Sequence, residues 1–132
     1  SKRNAVILSV LKKDAAASQE GYSLLTPLKG SALDYGEFNV DHLLGLLART
    51  MGDLDDAETQ FEDALTFCRK AGYLPELAWS LHDYADMLLE RDDPGDSKKA
   101  ASTLDEALQI STDLGMRPLM ERVLSKRDIL KA

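Results

Sequence analysis

Residues 43–65 read LLGLLARTMGDLDDAETQFEDAL, and this stretch decides the fold class. Its second half carries Ala57, Phe61, Ala64 and Leu65, continued by Cys68, at steps of three and four, while Glu58, Glu62, Asp63, Arg69 and Lys70 fall on the other side. Apolar residues at that spacing share one face of a helix, so an amphipathic helix is expected over 55–71. The same reading places Leu77, Leu81, Tyr84, Ala85 and Leu88 on one stripe of 76–91. It places Ala100, Leu104, Ala107, Leu108, Ser111 and Leu114 on one stripe of 97–114. No stretch sustains the period-two alternation of a strand, and the Val/Ile/Thr clusters that strands favour are missing. The chain is expected to be all-α.

The helices come in related pairs. Ala57, Phe61, Ala64 and Leu65 return as Ala100, Leu104, Ala107 and Leu108, each 43 residues on, and so do Gly72 and Pro75 as Gly115 and Pro118. Glycine just past a helix accepts the left-handed conformation at little cost, and proline in the first turn of the next helix forfeits no hydrogen bond. The preceding helices correspond at 37, with Leu44, Gly45 and Ala48 against Leu81, His82 and Ala85. The difference of six is an insertion in the turn around 90–96. The acidic turns, Asp53 to Asp56 and Asp92 to Asp96, are read as helix caps, with Asp96 or Ser97 capping the last of these helices. Upstream, Ser9, Asp14, Ser18, Tyr22 and Leu25 precede Ala48, Asp53, Ala57, Phe61 and Ala64 by 39. The expected organisation is a single domain: a weak unit about 2–30, units about 39–73 and 75–115, and a capping helix about 118–131.

With Gly45, Ala48, Gly52-Asp53, Ala57, Phe61 and Ala64 at these positions, the stretch resembles a tetratricopeptide repeat. Small residues at Gly45, Ala57 and Ala64 let the paired helices approach, and Phe61 fills the space beside them. The second unit departs from the pattern, with His82 for glycine and Leu104 for the aromatic. The resemblance implies antiparallel helix pairs in a right-handed α-solenoid that binds a protein or peptide. More narrowly, residues 61–132 resemble the arrays of large bacterial signalling ATPases related to LuxR-type transcriptional regulators and to adenylate cyclase-linked proteins. That implies a non-catalytic interaction or sensing segment of a multidomain regulator, with DNA binding outside this sequence. The alternative is a free-standing adaptor.

Composition sets the outer bounds. A chain of 132 residues, 44% hydrophobic and 30% charged, supports one modest core and is too apolar for a disordered tail. No apolar run approaches the roughly 20 residues of a membrane span, and no membrane association is expected. Cys68 alone cannot form an internal disulfide, and no secretory leader opens the sequence, so a cytoplasmic setting is expected. The start at Ser1 suggests a piece of a longer protein. The net charge of -7 divides into zero over 1–42, -10 over 43–116 and +3 over 117–132. The acidic body repels a phosphate backbone, so this segment is not expected to bind nucleic acid.

Chemistry-bearing motifs are sparse. No glycine-rich phosphate loop occurs. His42, His82 and Cys68 lack the spacing of a zinc site; His42 is read as a helix-surface residue and His82 as a packing residue. Ser80, His82 and Asp83 sit at steps that point to different sides of a helix, and the acidic turns lack the closing glutamate of a calcium loop. No catalytic, cofactor-binding or metal-ligating residue is expected, and the chain is read as not an enzyme. By the resemblance, the first helix of each pair lines a concave face, where Asn39, His42, Leu46 and Arg49 lie beside Glu76, Trp79, Asp83 and Asp86. Asn39, His42, Arg49, Trp79, Asp83 and Asp86 are the candidate partner-binding residues, suited to a basic or amphipathic peptide. The competing reading is a solvated acidic face with Trp79 lying on a neighbouring helix. Leu119, Met120, Val123, Leu124 and Leu130 mark a last helix that caps the array, and exposed ends would allow a homodimer.

Overall fold

The computed structural model describes residues 2–33 and 37–131, with side chains from Ala5 onward. Seven α-helices follow one another among them: α1 (Lys2–Leu11), α2 (Ala15–Leu25), α3 (Val40–Thr50), α4 (Leu54–Ala71), α5 (Leu74–Arg91), α6 (Asp96–Leu114) and α7 (Arg117–Lys131). Each packs chiefly on its sequence neighbours, and α3 also touches α1 and α5. Odd-numbered helices therefore form one layer and even-numbered helices the other, as in an all-α repeat solenoid. One element departs from the all-helical expectation. Ala32–Leu33 (β1) and Phe38–Asn39 (β2) pair antiparallel, two residues each. This patch leads into α3, where Asn39 caps the helix by accepting from the His42 N–H and donates its own amide to the Ser31 carbonyl.

The corners follow the sequence punctuation. α4 ends at Gly72 (φ 75°) and α6 at Gly115 (φ 68°), both left-handed, with Pro75 and Pro118 in the first turn of the next helix. Asp53 caps α4 by accepting from the Asp56 N–H at 3.1 Å, and Asp14 caps α2 in the same way at 3.0 Å. The acidic turn before α6 behaves otherwise, which corrects its reading as a cap. Gly95 is the cap residue, and Asp96 turns back to Arg91 and to the Asp93 N–H. Arg91 also pairs with Asp55 and Glu58, so three elements meet on one guanidinium. The inserted turn holds a cation shared between repeats, and its acids satisfy that cation first.

Two buried clusters make the core. Val6, Leu25, Val40, Leu43, Leu44 and Leu47 fill the α1–α2–α3 side. The larger one runs from Ala48 and Phe61 through Tyr84 and Leu104 to Leu119 and Val123, and Leu46 and Tyr22 pack against both. Phe61 stacks on Tyr84 with ring centroids 5.5 Å apart. A Cβ on Gly45 would stand 3.0 Å from the Phe61 ring, so a side chain there would force the buried ring to give way by a few tenths of an ångström. No helix among the described residues is long and apolar enough to cross a membrane.

Candidate functional site: an aromatic groove over a buried ion cluster

A cavity of about 550 Å³ opens between α3, β2 and the first half of α5. Phe38, Leu46, Tyr73, Pro75 and Trp79 form its walls. Its polar floor is His42, Glu76 and Asp83. Helical geometry explains the grouping, since Glu76, Trp79 and Asp83 recur at steps of three and four on one face of α5, and His42 and Leu46 do so on α3. Short loops bring the two faces together.

The floor is an ion cluster. His42 Nε2 lies 2.6 Å from Asp83 Oδ2, and Nδ1 lies 3.1 Å from Glu76 Oε1. A carboxylate faces each ring nitrogen, and only the imidazolium can offer a proton to both. The Nδ1 contact is an ion pair without hydrogen-bond alignment. Burial pulls the His42 pKa down, but the Glu76 charge and the Asp83 hydrogen bond outweigh it and raise it to about 10. Burial works the other way on Asp83, where hydrogen bonds from His42 and His82 hold the carboxyl well below the usual range. The second oxygen of each acid is also engaged. Glu76 Oε2 accepts from the Asn39 N–H at 2.5 Å and Asp83 Oδ1 from His82 Nδ1 at 2.9 Å.

The six candidate residues thus divide by environment. Asn39 is fully buried, and its side chain is committed to the helix cap and Ser31. His42 is 3% exposed, which corrects its reading as a helix-surface residue: α5 covers it, and single-helix periodicity carries no signal of that cover. His82 is buried in the packing. Arg49 reaches across to Glu90 at 3.0 Å and Asp86 at 3.9 Å, and Asp86 also takes Lys126 of α7 at 2.7 Å. Trp79 is half-buried, edge-on to His82 and covered on one side by the Arg122 guanidinium 5.5 Å from its ring. Sequence reasoning brought these residues to one face but left out Tyr73, Pro75 and Phe38, which complete the walls. Their positions at a helix start and in a two-residue strand have no periodicity to reveal them.

The acidic stripe is therefore largely neutralised within the fold. His82, Asp83 and Asp86 bring possible metal-ligand atoms within 4.8 Å of one another. The carboxylates already face His42, Arg49 and Lys126, so a dication would meet three cations there. Cys68 is buried, and burial pushes its thiol up to about 12, which leaves it protonated and unreactive at neutral pH.

The tetratricopeptide repeat family profile matches residues 36–113, more than half of the chain. The chain belongs to that family, whose repeats serve protein–protein interaction. Comparison with curated proteins and with solved structures gives no significant match.

Proposed function

We propose that this chain is the sensing or interaction segment of a bacterial multidomain regulator of the LuxR-like kind, working without catalysis and leaving DNA binding to another part of the protein. The observation that carries the docking role is the groove itself, an aromatic-walled cavity on the inner helix layer whose floor is held rigid by ion pairs. Preformed apolar concavities with a few fixed polar groups are where proteins bind ligands and extended segments. The parent type is supported by the resemblance of residues 61–132 to regulator arrays. Asn39 and His42 act from beneath by fixing the floor, Trp79 and Asp83 line the groove, and Arg49 and Asp86 lie beyond it, paired with each other and with Glu90 and Lys126. Leu11 and Ile129, exposed on α1 and α7, supply the surface for any self-association. The second reading, a free-standing adaptor, uses the same groove.

Reading the parent frame tests the context: a helix-turn-helix downstream and a phosphate-binding loop far upstream support the regulator, and a frame without either favours the adaptor. For the groove, Trp79→Ala is expected to abolish capture of the parent's neighbouring domains or partner in a pull-down while circular dichroism stays unchanged. Unaltered capture would sink the groove as the docking surface.

A further inference from the structure

The floor of the groove holds two carboxylates against one imidazolium. Glu76 is almost wholly buried and Asp83 is 20% exposed toward the cavity. Each of the four oxygens has one partner: His42 for two of them, the Asn39 N–H and His82 Nδ1 for the others. A carboxylate oxygen accepts more than one hydrogen bond, so Asp83 keeps acceptor capacity on its exposed side. An apolar plug would strip the remaining water from that acid without replacing it, and an anion would be repelled. A hydrogen-bond donor whose charge is single and spread out meets both needs, where a compact dication would be repelled by His42, Arg49 and Lys126.

The walls narrow the choice. Tyr73 and Trp79 offer aromatic faces, and Leu46 and Pro75 offer apolar surface beside the acid. A guanidinium is planar, less strongly hydrated than an ammonium, stacks on aromatic rings and forks onto a carboxylate. Arg122 of α7 already lies over Trp79 in this manner from outside the cavity. Leu46 also walls a second pocket of about 260 Å³, bounded by Val10, Lys13, Arg49, Thr50 and Glu90. The repeats of this family serve protein–protein interaction, which favours a side chain on a partner's segment over a free small molecule.

We propose that the α3–α5 groove captures an arginine side chain carried on an extended segment of a partner protein, with Asp83 taking the guanidinium and Tyr73 and Trp79 flanking its stem. The inference rests on the groove being the docking surface. Because Trp79 is the one tryptophan in the chain, its intrinsic fluorescence reports occupancy directly. The probes are capped pentapeptides with arginine, or its neutral isostere citrulline, between two leucines, and free methylguanidinium. The arginine peptide is expected to change Trp79 emission saturably, with the citrulline peptide weaker by about tenfold or more. Asp83→Asn, checked for helicity, is expected to erase that difference. Equal binding of the two peptides overturns the arginine assignment and leaves the groove reading standing. Methylguanidinium binding as tightly as the arginine peptide overturns the partner segment as the source. No response to any probe at millimolar concentration overturns the arginine assignment and the groove reading together.

Discussion

The pairs α3–α4 and α5–α6 share their punctuation and differ in their filling. Gly45 and Phe61 in the first pair correspond to His82 and Leu104 in the second, and all four are buried. The first pair sets a residue with no side chain against a large ring, and the second carries a larger side chain at the first of these positions and a smaller one at the other. The inner positions differ in another way. His42 and Trp79 correspond at a separation of 37, yet His42 is sealed beneath α5 while Trp79 is half-open, with Arg122 of α7 across one side. Cover by the next helix of the inner layer decides whether an inner position becomes core or binding surface.

The sharpest way to break that contrast is to truncate both. His42→Ala leaves Glu76 and Asp83 facing each other without their shared cation, and removal of one partner from a buried ion pair costs about 3–5 kcal/mol. Trp79→Ala, at the half-open position, is expected to cost under about 2 kcal/mol, less than the full burial value for tryptophan. Urea unfolding of both variants measures this, and equal losses would mean that cover does not distinguish the positions. The same cluster sets a pH dependence. The folded pKa of His42, about 10, lies above the unfolded value of about 6.5. Its contribution is complete below the unfolded value and drains away as the pH rises from there through the folded one. The melting temperature of the native chain should fall across that window more steeply than that of His42→Ala, and parallel profiles would contradict the imidazolium.

Exchange of fillings tests whether the two pairs are alternative solutions to one space. Gly45→His drives a side chain into a Phe61 ring that is fully buried and stacked on Tyr84, so a loss of about 3 kcal/mol is expected. Phe61→Leu alone leaves a void and loses the stack. If the two pairs are alternative solutions to one space, Gly45→His with Phe61→Leu recovers at least about 1 kcal/mol relative to the sum of the single changes. Strict additivity would show that the second pair fits by backbone adjustment instead.

The repeat was legible because its signals are local. Gly72, Pro75, Gly115 and Pro118 mark corners by backbone rules, and Ala57, Phe61 and Ala64 mark a buried face by period. The stripe Glu76, Trp79 and Asp83 was legible for the same reason. Its electrostatic state was not, because that depends on what stands opposite: His42 reads as a surface residue on α3 alone and becomes a buried imidazolium once two acids of α5 close over it. The acidic turn at 92–96 was misread on the same ground, since Arg91 lies within the preceding helix and draws Asp96 away from capping. The strand patch at Ala32–Leu33 and Phe38–Asn39 is too short for any periodicity to appear.

The smallest predicted effect concerns the corner inside the second pair, between α5 and α6. From residue 52 onward the left-handed corners fall on Gly52, Gly72, Gly95 and Gly115, and the exception is Asp92 at φ 53°. A side chain in that region carries a penalty of about 1–2 kcal/mol, less for aspartate, while glycine returns part of the gain by loosening the unfolded chain. Asp92→Gly also removes a negative charge beside Asp93 and Asp96. The net is expected to be a stabilisation of about 0.5 kcal/mol, and Asp92→Ala a loss of about 1 kcal/mol, read as shifts of the urea midpoint at constant slope. The Asp92 N–H that bonds the Leu88 carbonyl is kept in both variants, so the pair isolates backbone conformation. If glycine destabilises, the aspartate side chain must be contributing at this corner, and the longer turn of the second pair would then be held by its acids as well as by the shared Arg91.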